Sequence, residues 1–276
     1  MKNKGLIIFV IVLLIICILL LSGILFFSLS GKKINGVGRL FNTYRISNTR
    51  IYDKTYDDPF TSISIDTAAA NIEIKKGNEN KVVIYGEEDK LSINDDTNLS
   101  IRYDSEPCHF FCLNVTSSKI EVYLDETFKG DINIDNDYGD IEIDDFIYSK
   151  VKVDSSFGDT EISSAQSVDL SSSCGDIKVG VVGYALINNN YGDIKISKIT
   201  EKANIEADCG DIKINEVDLK ENSSIENNLG NIKIDRTNDI MIESKVSLGD
   251  NKVNNSNNKS DIVLKITNDC GDIKVN

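Results

Sequence analysis

The chain has 276 residues, 44 of them acidic and 30 basic, with a formal charge of −14, one histidine and no tryptophan. Wrapping a phosphate backbone needs a positive surface, so nucleic acid is excluded as a partner. The absence of Trp also removes the usual platform for sugar stacking, and the two prolines, Pro59 and Pro107, leave ladder hydrogen bonds intact.

Residues 1–30 are set apart from the rest. Met1-Lys2-Asn3-Lys4 precedes an uncharged run from Leu6 to Leu29, rich in Leu, Ile, Val and Phe. That run can cross a hydrocarbon layer of ~30 Å at 1.5 Å per residue. A cleaved signal peptide is the alternative, but its apolar core is usually only ~7–15 residues and ends at a small-residue site. No A-x-A follows here, and Cys17 has Ile16 before it where a lipobox wants a small residue. The expectation is an uncleaved signal anchor. Lys2 and Lys4 are opposed by Lys32, Lys33, Arg39 and Arg45 on the other flank, so charge alone leaves orientation open. Long domains translocate largely regardless of charge, which places the amino end inside and the large carboxyl-terminal part outside.

Three segments follow: a cytoplasmic tip and transmembrane anchor over 1–30, a basic juxtamembrane stem over 31–58, and an ectodomain over 59–276. From Gly31 onward there are 28 basic and 44 acidic groups, a charge of −16, which suggests a cationic partner. The stem, Lys32 through Lys54, has the opposite sign. It is either a solvated linker or a surface for anionic headgroups or envelope polymers.

Within the ectodomain, "SISIDTAAANIEI" sets Ile63 and Ile65, then Ile72 and Ile74, in pairs two residues apart, with Ala70 between them. Residues 78–125 break period, and "KVVIY", "LSIRY" and "KIEVYL" read there as ordinary strands in a small sheet covering the first coil. From 130 to 276 the chain repeats. "YGDIEI" at Gly139, "FGDTEI" at Gly158, "CGDIKV" at Gly175 and "YGDIKI" at Gly192 are followed by "CGDIKI" at Gly210, "LGNIKI" at Gly230, "LGDNKV" at Gly249 and "CGDIKV" at Gly271. Self-similarity with a period of about 18 residues marks a solenoid. Apolar residues seven and five before each glycine, and again two and four after it, give period-two strands meeting at a glycine bend. The predicted fold is all-β: a single-chain parallel β-helix behind one N-terminal transmembrane helix.

Each position in such a fold becomes a column with a ~4.8 Å interval. Gly supplies positive φ at the bend, and Asp can bond backbone that the turn leaves unpaired. The Asp column (Asp140, Asp159, Asp176, Asp193, Asp211, Asp250, Asp272) runs beside an outward Lys column (Lys178, Lys195, Lys213, Lys233, Lys252, Lys274). The residues just before the glycines, Tyr, Phe, Cys or Leu, are expected to form an interior column.

The run "KIEVYLDETFKGDINIDNDYGDIEI" with its recurrent G-D-I-x-I resembles the bacterial putative-adhesin family of β-strand-repeat proteins of unknown function, which includes a membrane-anchored protein of the Lia envelope-stress operon. The likeness covers most of residues 60–276, and the family usually has proline where Asp125 stands. The resemblance implies a β-helix outside the membrane and brings no catalytic residues with it.

Candidate chemistry is sparse. Cys174, Cys209 and Cys270 share the pre-glycine column, and Cys174 and Cys209, two coils apart, are beyond disulfide reach; all three are expected to be small core hydrophobes. In "CHFFC", Cys108 and Cys112 have the spacing for a local disulfide in an oxidising compartment. His109 beside them would start a metal clip that lacks four visible ligands. Calcium at the Asp corners, or at the Glu142 and Glu161 end where the lysine is missing, is set against simple charge compensation. Arg236 is the sole arginine of the repeats, and paired carboxylates are too common to mark a glycosidase. No catalytic, cofactor or metal residue is assigned, and no cofactor is expected.

The reading is therefore a non-catalytic envelope interaction module in stress sensing or regulation. A surface adhesin is the alternative and a polysaccharide-active enzyme a remote one. The partners expected are the membrane, an envelope or membrane-protein partner, and a second copy docking through the last coil. The chain stops one residue after "DIKV", which should leave Leu264, Ile266, Ile273 and Val275 at a bare end.

Overall fold

A computed structural model describes residues 44–104, 115–254 and 256–276. The apolar run 6–29, the first part of the stem and the segment holding Cys108, His109 and Cys112 lie outside the described residues. The described part is all strand and turn, apart from one short 3-10 turn at Glu88–Lys90, and among the described residues no helix is long and apolar enough to cross a membrane.

Two walls of parallel strands run side by side. The first stacks residues 132–138, 151–157, 168–174, 185–191, 203–209 and 223–229 in parallel register. The second stacks 141–143, 160–162, 177–179, 194–196, 212–214 and 232–234. Ile177, Ile194 and Ile212 are register partners and each is at most 1% exposed. The first wall buries alternate residues because side chains of a strand point to opposite faces with period two. A further inward position, seven after the glycine, adds Phe146, Ala165, Val182, Ile199 and Val217 to the core. Sequence pattern had marked only two residues on that side of the bend.

The early coil is in frame. Ile63 and Ile65 pair with Ile132 and Ile134, and Ile72 and Ile74 pair with Ile141 and Ile143. The segment expected to form ordinary strands does more. Its Asn98–Tyr103 and Val115–Leu124 add a parallel coil outside the first one, so the chain's first coil is not the outermost. Tyr44–Ile46 continues the parallel pairing against Val115–Ser117, and antiparallel strands finish the rest of that end. Leu91–Asp95 pairs with Asn98–Tyr103, and Asn80–Tyr85 joins Val115–Leu124 to Arg50–Tyr56, a strand inside the stretch read as stem. The hydroxyls of Tyr52 and Tyr56 both donate to the Asp95 carboxylate, at 2.9 and 3.1 Å, tying these strands together. Antiparallel edges of this kind end a stack without leaving a parallel template open.

The carboxyl-terminal end departs from expectation. Val263–Cys270 pairs with Ser223–Leu229 on one side and Met241–Leu248 on the other, and Ile273–Val275 lies between Ile232–Ile234 and Asn251–Val253. The chain's last coil is thus inserted inside the stack, and the coil 241–253 is outermost. Leu264, Ile266, Ile273 and Val275 are at most 1% exposed rather than bare. Docking of a second copy through that coil has no surface to use. The outermost coil carries the polar substitutions that an end requires. Ser244 and Asn251 stand in register with Ile266 and Ile273, and the Asn251 amide donates to Ser244 Oγ at 3.0 Å. The loop that follows folds back, its Ser256 Oγ accepting the Ile242 N–H at 2.9 Å.

Candidate binding face

The bend between the walls builds the surface of interest. Gly192 has φ of +132°, and a Cβ there would lie 2.1 Å from the Gly175 carbonyl oxygen, so only glycine fits. The coils close on one another at this column, which explains the glycine in every repeat. Buried Asn189 braces it, its Nδ2 donating to both the Gly175 and Gly192 carbonyls at 3.2 and 3.0 Å. Asn136 donates likewise to the Ala70 and Gly139 carbonyls, Asn227 to the Gly210 carbonyl and Asn268 to the Gly230 carbonyl. The signal for them was the Asn recurring three residues before glycine.

The aspartates form a hydrogen-bonded chain along the stack. Asp140 Oδ1 accepts the Asp159 N–H, Asp159 accepts from Asp176, Asp176 from Asp193 and Asp193 from Asp211, at 2.8–3.0 Å. Asp211 accepts from Asn231, Asn231 from Asp272, and Asp272 from Asp250, reproducing the inserted coil order. Each carboxylate thus satisfies the orphan amide of the neighbouring coil. The amide of Asp211, first, and then Lys195 hold the Asp193 carboxyl below its usual range.

Three residues past each glycine the side chain points outward. In spatial order this column reads Glu121, Glu73, Glu142, Glu161, then Lys178, Lys195, Lys213, Lys233, Lys274 and Lys252. The acidic and basic residues are segregated. At the acidic end Lys119 donates to Glu121 at 2.7 Å and pairs with Glu73 at 2.9 Å, and Lys75 pairs with Glu73 as well. Burial would lower the Lys119 amine, but its bonds to Glu121 and Glu73 hold it well above its usual range. In the lysine half, Lys195 meets Asp193 at 3.1 Å, Lys233 meets Asp235 at 2.6 Å and Lys252 meets Asp250 at 3.4 Å. The hydrogen bond that the Lys195 amine donates to Asp193 raises it above its usual range.

A groove of about 320 Å³ runs beside Lys178, Lys195 and Lys213. Ser163, Gly180, Ser197 and Asn215, all small or neutral, line it as well, and so does Glu161, the acidic residue next to Lys178 in the column. The outward column on the far side of the glycines is apolar, contrary to the interior column expected there. Phe157 is 48% exposed, Tyr191 62%, Leu229 55% and Leu248 69%. Cys174 and Cys270 are exposed thiols and Cys209 is half-buried; none is a core hydrophobe. Tyr138 and Phe157 stack with ring centroids 5.0 Å apart. Arg236 pairs with Glu216 at 2.7 Å. Among the described residues no group of three His, Cys, Asp or Glu side chains is placed to hold a metal ion.

These features define a single-chain parallel β-solenoid whose surface is organised in columns. The chain belongs to the Toastrack DUF4097 family, whose sequence signature matches residues 60–276. Among solved structures it is similar to a putative adhesin from Parabacteroides distasonis ATCC 8503, at 13% identity over 84% of this chain and 100% of that one, with a TM-score of 0.45. It is similar also to a putative adhesin from Bacteroides fragilis NCTC 9343, at 16% identity over 84% and 99%, TM-score 0.36. A third likeness is to a putative lipid binding protein from Parabacteroides distasonis ATCC 8503, at 14% identity over 84% and 100%, TM-score 0.45. No curated protein sequence matches the chain.

Proposed function

We propose that this protein is an extracytoplasmic β-solenoid, anchored in the cell membrane by residues 6–29 and joined to its anchor through the stem, that acts as a non-catalytic interaction module in envelope stress sensing or regulation. The observation that carries the reading is the column arrangement. Catalysis needs unlike groups converging on one reacting atom. Here successive coils repeat one group over long runs of a line, as Lys178, Lys195 and Lys213 do, and a line of equal groups suits an extended partner. The anchor reading rests on the length and lack of charge of residues 6–29.

The test has two parts. Protease added to intact protoplasts should digest a carboxyl-terminally tagged chain, and protection would reverse the topology. In the same cells, deleting the chain should change the output of an envelope-stress reporter. An unchanged reporter with a loss of attachment to an external surface would replace the module by an adhesin.

A further inference from the structure

We infer that the lysine ladder is a binding site for a linear phosphodiester polymer lying along the stack outside the cell. The inference rests on the interaction-module reading and gives that module a ligand class.

Segregation of charge in the column is the first argument. Like charges directly opposite on neighbouring strands are destabilising. Alternating Glu and Lys would place opposite charges at every step, yet Lys178, Lys195, Lys213, Lys233, Lys274 and Lys252 occupy six consecutive coils. Pairing between coils is therefore not what the column is built for. Six lysines at the ~4.8 Å coil interval make a positive line roughly 24 Å long.

The counter-charges do not cancel it. The Asp side chains beside the ladder are short, and their Oδ1 atoms lie on the amides of the next coil, as Asp176 does on Asp193. The lysines carry their ammonium groups on four methylenes beyond that layer. Their pairs with Glu161, Asp176, Asp193, Asp235 and Asp250 involve side chains 42–68% exposed on the lysine side. Pairs so exposed are weakened by solvent and contribute little, so a phosphate can replace the carboxylate readily. The chain's net charge of −14 acts only weakly at this distance, because charges more than about 8 Å away are largely screened at physiological salt.

The chemistry of the ladder favours phosphate. It holds lysine throughout, a compact charge suited to phosphate oxygens, whereas planar bidentate capture of carboxylates is the habit of arginine. The groove supplies the polymer's bed: Gly180 carries no side chain, Ser163, Ser197 and Asn215 are neutral hydrogen-bonding groups, and Glu161, its one acidic lining residue, is paired with Lys178 at 3.5 Å. Single-stranded nucleic acid is bound through aromatic platforms between the basic residues, and this ladder has none.

The experiment uses the full chain in neutral detergent micelles. A synthetic glycerol-phosphate oligomer of about ten units should bind, with affinity falling linearly in log salt, by roughly 0.7 per neutralised phosphate as in other single-stranded polyanions. The triple change Lys195→Gln, Lys213→Gln and Lys233→Gln should weaken binding at least tenfold and reduce that slope by about two. The control Lys150→Gln, Lys152→Gln and Lys265→Gln removes equal charge from other exposed positions and should leave binding near that of the parent. Circular dichroism confirms that each variant is folded. No binding at low salt, equal loss in the control, or equal binding of polygalacturonate, single-stranded DNA or anionic vesicles would overturn the inference. If the oligomer fails to bind but the triple change still abolishes the reporter response, the ligand is wrong and the module stands. Turnover of the oligomer would instead refute the module.

Discussion

Asp193 gives its backbone N–H to the Oδ1 of Asp176 at 2.9 Å and accepts, on its own Oδ1, the N–H of Asp211 at 3.0 Å. One side chain per coil thereby satisfies the one amide that the glycine bend removes from the strand ladder. This is why the chain writes "GD" again and again, and why Asn231 can stand in the same place, its Oδ1 accepting from Asp272 at 3.0 Å.

Asp176→Ala should therefore cost about 1 kcal/mol, the usual net contribution of one hydrogen bond, while Asp176→Asn should cost less because the amide oxygen still accepts. Urea unfolding of the two variants checks the order.

The Asp193 carboxyl is held below its ordinary range, first by the Asp211 amide and then by Lys195. A depressed carboxyl contributes stability above its unfolded value of ~3.9 and loses it as pH falls through the folded value. Asp193→Asn should flatten the acid limb of the stability curve in that window and leave the slope near pH 7 unchanged. Asp135 has the opposite sign. Burial, then Asp154, Asp66 and Asp137, raise its carboxyl. Its ionisation opposes folding at neutral pH, so Asp135→Asn should raise Tm at pH 7, with the gain vanishing once the parent carboxyl is protonated.

Gly192→Ala should disrupt the stack where it stands. The new Cβ would meet the Gly175 carbonyl oxygen at 2.1 Å, and φ of +132° is itself unfavourable for alanine by roughly 1–3 kcal/mol. Hydrogen exchange should show lost protection in residues 177–179 and 194–196 first, since the coils on both sides share that bend. Exchange at those strands equal to the parent's would contradict the close-approach role of the glycine.

Inserting the last coil reverses the ranking of two valines. Val275 is fully buried, and burying a valine contributes about 1.5–3 kcal/mol before the cost of an unpaired carboxylate is added. Val253, in the outermost coil, is only half-buried. Val275→Asp should unfold the carboxyl-terminal coils, and Val253→Asp should be tolerated, as differential scanning calorimetry can show.

Much of this architecture was legible because a solenoid repeats its physics. Ile177, Ile194 and Ile212 could be placed inside from period-two spacing, and Lys178, Lys195 and Lys213 outside. Two features were not legible in the same way. Extrapolating the alternation of Ala185, Ile187 and Asn189 puts Tyr191 inside, but the chain has already begun to turn at Gly192, and Tyr191 is left at 62% exposure. The order of the coils was hidden because neighbouring repeats offer the same edge, so spacing counts coils without ordering them. The cues to the true end were local: Ser244 and Asn251 where other coils have apolar residues, and the long loop before Val263. The binding face itself emerged only when the coils were stacked, since Lys233 and Lys274 are 41 residues apart in the chain and adjacent in space.

The stacking order and the lysine ladder meet in one measurement. In a chain whose native cysteines are replaced by serine, Lys233→Cys with Lys274→Cys should form a disulfide under mild oxidation, because register partners lie ~4.8 Å apart. Lys233→Cys with Lys252→Cys should not, since an intervening coil separates them by about 10 Å. The account expects the first pair to cross-link and the second to stay reduced; cross-linking of the second pair alone would restore sequential stacking and contradict the ladder described above.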